Sequence, residues 1–221
     1  MKPFKQSVML TFFCIFVFTN AQANSSSAKL ELLKKVRSVI IPDLNHGDES
    51  FLKEQAEILK EIKTADQEFE CLFLEVEPKA TIAINNFLTG LNYEDSVRLW
   101  INETSHKIGS PFKNIIPDWY LLKIHKLGFK IVGVDIDWNS ELGSKIIPLI
   151  KLHDQGSSIE QYGKLLVGER SKIIAENVIR ELQNKSCRKG VLIVGQGHLE
   201  DFLYKPVQLY FKDANVSGFI W

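Results

Sequence analysis

Four short apolar runs set the architecture of this chain: Val36 to Ile41, Cys71 to Val76, Phe129 to Asp135 and Val191 to Gly195. Runs this short, apolar almost throughout and bounded by turn or charged residues, are strands buried on both faces, as in a parallel sheet. Helical patterns separate them. Phe51 to Ile62 places Phe51, Leu52, Ala56, Ile58, Leu59 and Ile62 largely on one stripe. Pro117 to Leu127 opens on proline and closes at Gly128, the usual start-and-stop asymmetry of a helix. Ser158 to Gln183 carries Ile173, Ile174, Val178, Ile179 and Leu182 as its apolar stripe. The alternation predicts an α/β domain with a mostly parallel sheet flanked by helices. In the carboxyl tail, Val207 to Phe211 and Val216 to Trp221 read as two more short strands, an antiparallel edge pair. A fold of this class collects its functional groups at the carboxyl ends of the parallel strands.

Ahead of the domain, Lys2 and Lys5 precede an apolar run from Val8 to Phe18, then Ala21-Gln22-Ala23. A basic start, an apolar stretch and an A-x-A site predict a cleaved secretory signal peptide over residues 1–23, with residues 24–221 as a single α/β domain. The run falls short of the ~20 apolar residues a spanning helix needs, so no stable membrane insertion is expected after cleavage. The predicted location is secreted or periplasmic. Two of three cysteines, Cys71 and Cys187, would then enter an oxidising compartment. Each precedes or begins an apolar run, which puts both at the amino-terminal edge of the sheet. A disulfide and two half-buried thiols are equally compatible with that placement. Charge is balanced at 27 basic and 27 acidic residues, and cleavage removes two lysines. No basic excess is left for nucleic acid.

Polar residues cluster where the strands end. The first run leads into Pro42-Asp43-Leu44-Asn45-His46-Gly47-Asp48-Glu49-Ser50, an imidazole beside three carboxylates. Glu75 interrupts the second run and Glu77 follows it; a carboxylate entering a core costs heavily unless paired or metal-bound. Asp135 and Asp137 close the third. The fourth ends in Gly195-Gln196-Gly197-His198, two glycines that would let the backbone turn sharply and present His198 at the rim. Two histidines and a carboxylate at one sheet edge, His46, Glu75 and His198, suit a divalent ion such as zinc or manganese, which would make a nucleophile of bound water. Without an ion the same groups suit a general base and its carboxylate orienter. Arg170 belongs to the long helix before the fourth run. It can clamp an anion or make a surface pair with Glu169, and spacing alone favours the pair. His106, His125 and His153 have no partner at ligand spacing. No dinucleotide fingerprint, G-x-S-x-G elbow or C-x-x-C is present.

Gly168-Glu169-Arg170-Ser171-Lys172-Ile173-Ile174-Ala175-Glu176-Asn177, followed by Val191-Leu192-Ile193-Val194-Gly195-Gln196-Gly197-His198-Leu199, resembles the closing signature of the Tiki/TraB, erythromycin-esterase and ChaN-like superfamily. Asp43-Leu44-Asn45-His46-Gly47 stands where that superfamily has a first strand ending in G-x-x-H. Glu75 matches its second-strand glutamate, and Phe129 to Asp135 is similar to its G-hydrophobic-V-x-x-D strand. The resemblance spans about residues 36 to 200. It implies a mostly parallel α/β domain with a polar cleft lined by His46, Glu75, Arg170 and His198.

Superfamily members include metal-dependent proteases, esterases that open macrolide lactones, and haem-binding lipoproteins. Fold does not choose among these chemistries. The first motif departs from the pattern. Asp43 and Leu44 replace glycine and glutamate, and the acid four residues past the histidine is Ser50, which leaves Asp43, Asp48 or Glu49 as substitutes. The expectation is a metal-assisted hydrolase of a peptide, ester or lactone. In it His46 is a base or ligand, Glu75 a ligand or orienter, His198 a second ligand or base, and Arg170 the clamp on an anionic intermediate. The alternatives are a non-catalytic haem- or ligand-binding protein, with Tyr120 and Trp119 as exposed-looking candidates, and a degenerate member acting through protein contacts.

Overall fold

The computed structural model describes residues 26–44, 48–90, 116–154, 163–200 and 204–221. Within them the chain runs α1 (Ser26–Lys35), β1 (Ser38–Asp43), α2 (Glu49–Ala65), β2 (Phe69–Leu74), α3 (Ala80–Leu88), α4 (Asp118–Lys126), β3 (Lys130–Gly133), α5 (Glu141–Asp154), a π-helical turn (Gly163–Glu169), α6 (Arg170–Gln183), β4 (Lys189–Gly195), a 3-10 turn (Gln196–His198), α7 (Val207–Asp213) and β5 (Gly218–Ile220). All strand pairs are parallel, in the order β3-β2-β4-β1-β5. The α/β architecture holds, and β1 to β4 stand where the apolar runs put them.

Alternate strand residues face opposite layers because the side-chain period of a strand is two. Val39, Ile41, Leu72, Leu74, Ile131, Val191 and Ile193 pack on one face against α1 to α4. Ile40, Cys71, Phe73, Val132, Leu192 and Val194 pack on the other against α6 and α7. Strand β4 therefore feeds a helix on the second face yet sits between β1 and β2, which feed helices on the first. The crevices beside β4 are the switch points where such sheets hold ligands.

The tail corrects one expectation. Val207 to Phe211 is helical rather than a strand, and β5 joins the sheet parallel to β1, so there is no antiparallel edge pair here. Pro206 opens α7, and the residues it buries are Val207 and Phe211, four apart. That is helical spacing; a strand would have buried every second residue.

Cys71 and Cys187 are joined as a disulfide with Cα atoms 5.9 Å apart, across 116 residues of sequence. Both are fully buried at the amino-terminal edge. Two close approaches shape the strands, Gly133 at the carboxyl edge and Gly190 near the start of β4. A Cβ on Gly133 would lie 2.3 Å from the Glu77 carbonyl oxygen, and one on Gly190 would lie 2.2 Å from the Phe73 ring. Gly133 thus lets the segment after β2 cross tightly beside β3. Closing a loop of this length restricts the unfolded chain, so Cys71→Ser with Cys187→Ser should lower unfolding free energy by about 2–5 kcal/mol. Urea denaturation of the double variant against wild type measures the loss, and intact mass before and after reduction reports the bond.

Candidate functional site

Three of the four residues singled out by sequence meet at the carboxyl edge of the sheet. Glu75 follows β2 directly, His198 closes the 3-10 turn after β4, and Arg170 is the first residue of α6. His198 Nε2 lies 3.1 Å from Glu75 Oε1, and Arg170 Nη2 lies 3.0 Å from the same oxygen. Glu75 Oε2 accepts the Gly195 N–H at 2.6 Å, which fixes the carboxylate across the β2–β4 boundary. His46, three residues past the end of β1 in the sequence, lies outside the described residues.

Asp135, the acid that closes the third apolar run, completes the cluster. Arg170 donates to it through Nε and Nη2, each at 2.7 Å, in the two-bond fork that suits guanidinium and carboxylate. The Asp135 side chain is 2 % exposed and that of Arg170 11 %. Arg170 therefore points inward, and its surface pair with Glu169 is not formed. Trp138 lies under the guanidinium, 5.4 Å from its ring centroid. The register that delivers these groups is an extension of the sheet: Val134 N donates to Leu74 O and Asp135 N to Val76 O, each at 3.0 Å. Asn177, two turns into α6, donates to Val134 O at 2.9 Å and locks the helix against the strand that carries Asp135.

The other strand-end acids hold structure. Buried Glu77 accepts the Trp138 N–H at 3.1 Å and pairs with Lys79 at 2.6 Å. Asp137 accepts the Asn139 N–H, which with Lys79 nearby keeps its carboxyl below the usual value. Asp48, one of the substitute bases, caps α2 by accepting from Ser50 N at 2.9 Å and Phe51 N at 3.2 Å. Glu49 pairs with Lys53 at 2.8 Å. His125 is exposed on α4. Tyr120 is not the exposed ligand the sequence suggested for haem: it is 1 % exposed, and its hydroxyl donates to Gln55 at 3.2 Å. Burial, with Asp43 nearby, pushes its phenol well up, against forming the phenolate an iron would take.

The turn before His198 also differs from expectation. Gly195 has φ of −53°, and the described glycines with positive φ are Gly90 and Gly128. A Cβ on Gly197 would touch nothing within 4 Å, so the 3-10 turn does not depend on glycine there.

A divalent ion needs donors converging on one empty point. Among the described residues no group of three His, Cys, Asp or Glu side chains does so. Glu75 and His198 face each other, and the Arg170 cation lies against both. A metal ion at Glu75 Oε1 would have to displace that guanidinium, and His46, the third donor expected from the sequence, lies outside the described residues. The described groups fit proton transfer between fixed partners. His198 Nε2 has Glu75 Oε1 to receive its hydrogen and, at 3.4 Å, Arg170 Nη1 to donate to it when the hydrogen is gone.

No protein-family model matches the chain, and no curated protein matches it. Among solved structures the chain is similar to the type III effector HopBA1, at 18 % identity and a TM-score of 0.46 over 78 % of this chain and 72 % of that one. A likeness of this degree carries no argument about the site.

Two outcomes check this geometry. Removing Arg170 leaves Asp135 buried and Glu75 part-buried without their cation, so Arg170→Ala should cost about 3–5 kcal/mol in urea unfolding. For Asp48, the Ser50 hydroxyl first, and then the Phe51 N–H, hold the carboxyl below its ordinary 3.8. A carboxyl depressed by folding stabilises the fold above the unfolded-state value and loses that effect as pH falls through the folded value. The stability gap between wild type and Asp48→Ala should be level at neutral pH and close as the pH drops below 3.8; thermal melts across pH measure it.

Proposed function

We propose that this chain is an exported hydrolase of a peptide, ester or lactone in which the Glu75–His198 pair moves the proton. The observation that carries the reading is His198 Nε2, which has a partner in each of its two states: Glu75 Oε1 when it bears hydrogen and Arg170 Nη1 when it does not. A general base needs that property, since it must take a proton from water and return it to the leaving group without losing its place. Nε2 takes the proton of an attacking water, and the imidazolium so formed is held by Glu75. Arg170 sets positive charge beside the developing oxyanion, with Asp135 fixing the guanidinium plane. Hydrogen-bonded preorganisation of this kind is worth more in a site shielded from water.

The resemblance to the Tiki/TraB, erythromycin-esterase and ChaN-like superfamily supports the reading, because Glu75, Arg170 and His198, which its motifs single out, are in mutual contact. The buried disulfide supports export, as does the A-x-A segment near the amino terminus. The purified chain should hydrolyse at least one member of a panel of aryl esters, lactones and peptides. His198→Ala and Glu75→Gln should each lower kcat/KM by about 10²–10⁴. Absence of turnover across the panel, or variants as active as wild type, would overturn the proposal. Loss of turnover on chelation, restored by zinc or manganese, would move the water activation to a metal instead.

A further inference from the structure

Ser171 is almost fully buried, 1 % exposed, yet its hydroxyl meets the second nitrogen of His198 at 2.7 Å. The same hydroxyl makes a short hydrogen bond to the backbone carbonyl of Val167, one turn earlier in the π-helical turn. A serine hydroxyl has one hydrogen to give. A carbonyl oxygen can only accept, so that hydrogen goes to Val167 O. Ser171 Oγ can then only accept from His198 Nδ1, which must carry a hydrogen of its own.

We propose that Ser171 is a positioning residue that holds His198 as the Nδ1–H tautomer, so that Nε2 is the nitrogen that gains and loses the proton. The inference rests on the reading of His198 as the proton-transfer group. The residues around the ring bear it out: Glu75 Oε1 and Arg170 Nη1 both face Nε2, while Ser171 faces Nδ1. With the ring flipped, Cδ2 and Cε1 would take the places of Nδ1 and Nε2, and both the buried hydroxyl and the charged pair would face C–H groups. The chain enters α6 through a π-helical turn, an irregularity that often marks functional sites. Ser171 itself is shut off from solvent and does not serve as a nucleophile.

Long-range proton–nitrogen NMR spectra of the ¹⁵N-labelled full chain read the tautomer directly, with His198 assigned by its loss in His198→Ala. In wild type the neutral ring should be Nδ1–H, and Nε2 should be the nitrogen whose shift moves with pH. Ser171→Ala should turn the neutral ring towards Nε2–H, and Ser171→Thr should restore it. With a substrate that turns over, Ser171→Ala should lower kcat about tenfold or more at unchanged KM, less than the ~10²–10⁴ lost in His198→Ala, and Ser171→Thr should recover most of it.

A wild-type ring that is Nε2–H when neutral would overturn the inference, as would a tautomer unchanged in Ser171→Ala. So would covalent labelling of Ser171 by a fluorophosphonate, because that would make the hydroxyl a nucleophile. If the tautomer behaves as expected while no substrate turns over, the positioning role stands and the hydrolase reading fails.

Discussion

Everything at the carboxyl edge of this sheet depends on one guanidinium. Glu75 and Asp135 come from neighbouring strands, and two carboxylates brought this close repel unless a cation lies between them. Arg170 supplies it, with two bonds to Asp135 and a third contact to Glu75. Because Arg170 is the first residue of α6, the position of that helix sets the position of the charge. Asn177, seven residues on and on the same face, holds α6 to β3 through the Val134 carbonyl. The helix is thereby registered against the strand whose acid it must meet.

The two edges of the sheet divide the work. At the amino-terminal edge the Cys71–Cys187 disulfide crosses from β2 to the entry of β4, and the Lys189–Asp66 pair at 2.6 Å fills the same border from the other face. These groups secure the strands and leave the opposite edge to polar chemistry. Burial by itself raises the Asp66 carboxyl; Lys189 and the Glu68 N–H more than reverse that and hold it below its ordinary value. At the carboxyl edge, Gly133 lacks the Cβ that would push away the backbone of Val76 and Glu77. Both the buried disulfide and the charged cluster depend on how closely β2 lies against its two neighbours.

Strands and the main helices were legible because burial on both faces leaves a nearly continuous apolar run, and α2 and α6 carry clear apolar stripes. Three helices were not: α1 is short, opens on serines and is rich in lysine, α3 carries Asn85 and Asn86 near its end, and α5 has Gly143 and Pro148 inside it, so none shows a clean pattern. In the short tail Val207, Leu209 and Phe211 also alternate, so the pattern fits a strand although the segment is helical. Within the site, single carboxylates and histidines at strand ends could be found from position alone. The inward turn of Arg170 could not, because its partner Asp135 is 35 residues away and Glu169 is adjacent. Ser171 carried no signal in the sequence, since a serine one residue into a helix is usually part of its cap or its surface.

A double-mutant cycle on Arg170→Met and Asp135→Asn, read as unfolding free energies in urea, tests most directly whether one guanidinium organises this edge. If the two side chains act as one buried pair, the cycle should return a coupling of about 0.5–3 kcal/mol, with the double variant more stable than the single losses predict by addition. Additive losses would contradict the account, because they would mean that Asp135 and Arg170 stabilise the fold independently.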